Sequence, residues 1–99
     1  MQTYGVITNI VADDSVKLDG KHELIAVIET IVPSTKSFQT CKESIGFEPT
    51  DYKVGDYVYV KYYERDVNIL TKISGKSVPK EIKLLLDSKC SIVQNDHFL

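Results

Sequence analysis

Side chains from Tyr57 to Tyr63 alternate between two faces of an extended chain, since successive residues of a strand point in opposite directions. Val58, Val60 and Tyr62 fall on one side, and Tyr57, Tyr59, Lys61 and Tyr63 on the other. The preceding Val54-Gly55-Asp56 reads as a turn, in which glycine permits a tight bend and the aspartate side chain can accept from turn amides. The valines require a core. The tyrosine face requires an interface, a ligand or a cover from its own chain.

The other apolar segments have strand character as well. Residues 3–11 predict a first strand with Val6 and Ile10 on one face and Ile7 and Val11 on the other. Residues 12–22 are polar and read as a connection with a turn at Asp19-Gly20. Residues 23–32 form the most apolar run, and β-branched Ile25, Val27, Ile28, Thr30, Ile31 and Val32 favour a strand over a helix there. Pro33 ends it, and residues 36–42 predict a third strand with Phe38 and Thr40 on one face and Cys41 on the other. Residues 43–53 read as a longer loop whose Ile45 and Phe47 plug an open end of the strand assembly. A charged turn at Glu64-Arg65-Asp66 precedes a fifth strand over 67–73.

The period then changes. Pro79 suits a first helical turn, Glu81 complements the helix dipole, and Ile82, Leu85, Leu86 and Lys89 recur at three- and four-residue spacing. A short amphipathic helix is predicted over 79–88, followed by an extension in which Ile92-Val93 could add an edge strand. These elements predict a mainly β chain: a small five-stranded antiparallel OB-like barrel over residues 1–75, with a helix and extension over 76–99. An SH3-like barrel is the alternative.

The segment Tyr52-x-Val54-Gly55-Asp56-x-Val58-x-Val60-x-Tyr62, with the charged turn and Asn68-Ile69-Leu70 after it, resembles the signature of small OB-fold-like bacterial domains of unknown function. In outline it is similar to the soluble barrel of NfeD-type proteins. The resemblance covers roughly residues 4–73 and implies an OB-like barrel. Such domains often accompany membrane helices. This sequence departs from them in having a lysine-rich carboxy-terminal helix and no stretch near the roughly 18 apolar residues that span a bilayer.

Composition narrows the function. The 99 residues suit one domain, and the net charge is −2. Residues 1–51 hold four lysines against eight acids, a net −4, whereas residues 72–99 hold five lysines against three acids, a net +2. A chain that binds phosphates through a basic surface carries a clearer excess. The amino terminus shows no signal-peptide pattern, so a cytoplasmic address without a membrane partner is expected.

Chemistry-bearing motifs are sparse. The five glycines are scattered, so no phosphate loop is formed. Asp13 and Asp14 are adjacent, and on a strand they would diverge rather than share a proton. Cys41, Cys90, His22 and His97 have no metal-type spacing, and no disulfide framework follows from two distant cysteines. The sequence therefore predicts a non-enzymatic binding module with no cofactor and no metal.

The candidate binding residues are Tyr57, Tyr59, Lys61, Tyr63 and Arg65. They suit a protein interface or self-association, in which large amphipathic rings give contact area at low entropic cost. As the alternative, the rings stack bases of single-stranded nucleic acid while Lys61 and Arg65 meet phosphate. A third arrangement has the helix after Pro79 lying over that face.

Overall fold

A computed structural model describes residues 2–32, 34–62 and 67–97. Five strands, β1 (Gln2–Leu18), β2 (Lys21–Ile31), β3 (Phe38–Phe47), β4 (Tyr57–Tyr62) and β5 (Val67–Ile73), precede a short 3-10 turn (Gly75–Ser77) and one helix, α1 (Lys80–His97). They form a single antiparallel sheet in the order β3-β2-β1-β4-β5. The sheet curls until β3 and β5 approach each other, but no ladder joins them, so the barrel stays open.

Curling divides the side chains between two cores. Inside the curl lie Ile7, Ala26, Ile28, Val58 and Val60, with Ile10, Cys41, Ile45 and Tyr52 packed around them. On the outer face, Val6, Ile31, Val78, Leu86 and Cys90 form a second cluster, joined by Tyr4, Phe38, Tyr57, Ile73 and Ile82. Helix α1 covers this second cluster. The expected burial of Val58 and Val60 and the opposite facing of Phe38 and Cys41 are both observed.

A bulge corrects the expected facing of the first strand. Ile7 pairs with Ile28 and Asn9 with Val27, leaving Thr8 as an extra residue. Strict alternation would put Val6 and Ile10 together; the inserted residue instead sends Ile10 inside with Ile7 and leaves Val6 outside. Thr8 is buried, and its hydroxyl donates to the Val27 carbonyl at 3.3 Å. Buried Thr3 and Thr30 likewise donate to the carbonyls of Ile31 and Tyr4, at 2.9 and 3.1 Å. Such pairing is what allows hydroxyls to sit in an apolar layer.

Three elements are longer than the sequence predicts. Residues 12–18 continue β1, closing onto β2 through Asp19 and Gly20, whose φ values of 53° and 77° suit a two-residue hairpin turn. Residues 43–47 continue β3, where Ile45 still packs into the open core. Residues 91–97, expected as an extension with an edge strand, continue the helix instead. Residues 80–97 contain neither glycine nor proline to stop it, and buried Cys90 carries the apolar stripe one turn beyond Leu86. The predicted charged turn at 64–66 lies outside the described residues.

The turn before β4 matches its sequence chemistry. Gly55 has a φ of 97°, a left-handed conformation that glycine adopts without strain. Its N–H donates to the Ile7 carbonyl at 2.8 Å, Ile7 N–H donates back to Asp56, and the Asp56 carboxylate accepts from Lys53 N–H at 2.8 Å. These bonds splice β4 onto β1 in one register.

Candidate interaction surface

β4 presents Tyr57, Tyr59 and Lys61 on the outer face, and the helix divides them. Tyr57 stands between Val6 and Ile73 in register, at the covered end. Its hydroxyl donates to the Asp87 carboxylate of α1, while Lys83 sits 5.9 Å from its ring centroid and 3.6 Å from the same carboxylate. Burial first, then the hydrogen bond and charge of Asp87, push the Tyr57 hydroxyl up to about 12. That ring and hydroxyl are engaged within the fold.

Tyr59 lies beyond the helix. It pairs in register with Tyr4 of β1, and the two rings meet with centroids 5.4 Å apart and planes tilted by 41°. A tilted cross-strand aromatic pair stabilises the ladder locally. Both tyrosines are half-buried, and neither hydroxyl bonds a described residue. Lys61, opposite Gln2, is exposed at the end of the same row. Tyr63 and Arg65 lie outside the described residues.

Tyr4 extends this face in a way the sequence does not disclose. Only the β1–β4 register places it beside Tyr59, and such long-range pairing leaves no local signal. From Tyr4 two hollows open. One, of about 190 Å³, runs over Gln2, Thr3 and Tyr59. The other, of about 440 Å³, runs under the first turns of α1 and is walled mainly by Tyr4, Ile31, Pro79, Ile82 and Leu85.

No protein-family model, curated protein or solved structure matches this chain.

Other reactive groups are placed as follows. Cys41 and Cys90 are both free thiols. Burial, with the charges of Glu43 and Glu29, pushes Cys41 up to about 11, and burial with the Asp87 charge raises Cys90 too. At neutral pH both are held as thiols, the weaker nucleophile. His22 lies between two carboxylates, with Nδ1 2.9 Å from Glu48 Oε1 and Nε2 3.5 Å from Asp14 Oδ1. Glu48 Oε1 also accepts from His22 N–H at 3.0 Å, and these bonds lower the Glu48 carboxyl below its ordinary value. Among the described residues, no group of three His, Cys, Asp or Glu side chains is arranged to hold a metal ion, and no helix is long and apolar enough to cross a membrane.

Proposed function

We propose that this chain is a non-enzymatic protein-binding module of the cytoplasm, with a contact surface on the outer face of β1 and β4. The observation that carries this reading is the Tyr4–Tyr59 pair. Two large rings stand together, Tyr4 at the margin of the helix-covered cluster and Tyr59 outside it, with hydroxyls that bond no described residue, whereas Tyr57 is consumed by Asp87. Paired aromatic rings of this kind supply area and a polar tip at little entropic cost, which suits the centre of a protein interface. Lys61 supplies a cation at the edge, and Tyr63 and Arg65 continue the same segment of sequence.

The nucleic-acid alternative is less well supported. Stacking favours flat open rings, but Tyr4 and Tyr59 occupy part of each other's surface at a 41° tilt. Residues 1–51, which include the first three strands, also carry eight of the 14 acids against four lysines, which opposes phosphate.

Site-specific photo-crosslinking separates the readings. A benzophenone side chain at position 59 should trap a defined protein partner, or a second copy, that the same group at exposed position 76 does not trap. Tyr59→Ser should abolish that partner's capture while leaving the fold intact. Equal trapping at both positions, or capture unaffected by Tyr59→Ser, overturns the proposal. Salt-sensitive retention of labelled single-stranded DNA or RNA at micromolar protein would transfer the face to the alternative.

A further inference from the structure

We infer that the 440 Å³ cleft between α1 and the ends of β1 and β2 binds a small amphipathic carboxylate, an apolar chain or ring bearing one anionic head. This goes beyond the contact surface proposed above, with which the cleft shares only the Tyr4 ring. Its walls are mainly apolar, formed by Tyr4, Ile31, Pro79, Ile82 and Leu85, with Gln2 and Thr3 also in the lining. Ile31 is buried at the floor, whereas Leu85 is 45% exposed at the lip. The size falls within the range that holds small organic ligands.

The rim decides the head group. Lys36 and Lys80 both line the cleft, both are exposed, and neither forms an ion pair with a described residue. Among the described residues of the rim Glu81 is the single acid, so cations outnumber it two to one. The two lysines favour an anionic head at this rim, and Glu81 offsets them only in part. A neutral ligand would use the walls and forgo the lysines.

The backbone gives Lys36 its position at a cost. Its φ is 56°, a left-handed conformation unfavourable for a residue with a Cβ. The turn is held by Lys36 N–H donating to the Val32 carbonyl and Val32 N–H to the Ser37 carbonyl, both at 2.8 Å. Glycine would satisfy this turn without strain. A lysine there, at the mouth of an apolar cleft, is explained by the charge it brings.

The probes are octanoate and 1-octanol, of equal chain length and different charge, titrated to millimolar concentration against the full chain labelled with ¹⁵N. Octanoate should give saturable amide shifts at Tyr4, Ile31, Ile82 and Leu85, and bind roughly three- to tenfold more tightly than octanol, as two exposed lysines can supply. Lys36→Gly combined with Lys80→Gln should reduce octanoate affinity to the octanol value, with the urea midpoint unchanged or raised because the strained turn is relieved. Leu85→Glu, at an exposed position, should weaken both ligands about tenfold or more. Absence of saturable shifts at the cleft, equal affinity for the two probes, or undiminished octanoate binding in the lysine variant would each overturn the inference.

Discussion

Tyr57 of β4 donates its hydroxyl to Asp87 of α1, two residues 30 positions apart in the chain. The bond joins sheet to helix at one side of the outer core, and the contact of Lys89 with the Phe38 ring, 4.8 Å from nitrogen to centroid, joins them again near β3. Leu86, fully buried, lies between them on the helix. Helix docking thus combines the apolar stripe of Ile82, Leu86 and Cys90 with two polar clasps.

Removing the clasp has a calculable consequence. Tyr57→Phe keeps the ring in its cluster but loses a hydrogen bond to a carboxylate, so it should destabilise the fold by about 1 kcal/mol. The wild type should also lose stability in alkali. Because the folded-state hydroxyl titrates near 12, above its ordinary value of 10, its contribution is complete below pH 10 and is lost as pH rises towards 12. Urea midpoints measured at pH 8, 10 and 11 should fall more for wild type than for Tyr57→Phe. Parallel curves would show that this bond does not couple helix docking to pH.

Much of the outer-face geometry was legible locally, while its assignment to sites was not. The alternation of Val58 and Val60 with Tyr57 and Tyr59 reports which residues share a face of a strand, and that is observed. It cannot report which neighbour covers the face. Tyr57 and Tyr59 are equivalent in the sequence pattern and differ only because Asp87 reaches one and Tyr4 the other. The bulge at Thr8 was hidden for a related reason, since an inserted residue is defined by its partner strand. Polar strand segments such as residues 12–15 look like loops because these mostly exposed side chains have no buried face to impose alternation.

Gly5 is a position whose role only the folded sheet reveals. It lies on the inner face, paired with Thr30 and Val58, and a Cβ there would stand 2.8 Å from Ile28 Cγ2, 3.1 Å from Val60 Cγ2 and 3.2 Å from the Glu29 carbonyl oxygen. Two core methyls and a backbone oxygen leave little room to yield. Gly5→Ala should therefore destabilise by about 2 kcal/mol, with the urea m-value unchanged. Stability equal to wild type would mean that the inner core is looser than its fully buried residues indicate.

The thiols offer a check on the same core. Cys41 titrates near 11, some two units above an ordinary thiol, so its thiolate fraction at pH 7.5 is reduced about 100-fold. Cys90 is buried on the sheet-facing side of the helix and shifted in the same direction. Reaction with a disulfide reagent such as Ellman's should therefore be slow for both in the native protein and fast in 8 M urea. A rapidly reacting native thiol, located by mass spectrometry, would identify which core opens first. Tyr57→Phe should accelerate labelling of Cys90 and leave Cys41 unchanged, since only Cys90 is carried on α1, facing the outer core.

The acid limb of stability should depend on the His22–Glu48 contact. Glu48 Oε1 accepts from both the backbone N–H and Nδ1 of His22, tying the chain just after β3 to the start of β2. These bonds favour the carboxylate and hold its titration below the usual glutamate value. A depressed folded-state value means that the contribution is present above the unfolded pKa and is lost as pH falls through the folded one. Glu48→Gln should consequently lower the urea midpoint at pH 6 and show a flatter decline between pH 5 and 3 than the wild type. Because the carboxylate lies at the surface, 1 M salt should reduce the charge-dependent part of the difference while sparing the hydrogen bond to His22 N–H, which the glutamine oxygen can still accept. An acid decline equally steep in wild type and variant would place the acid-sensitive contact elsewhere, and Asp13, whose carboxylate accepts from Ser15 N–H and Oγ and is likewise lowered, is the next residue to substitute.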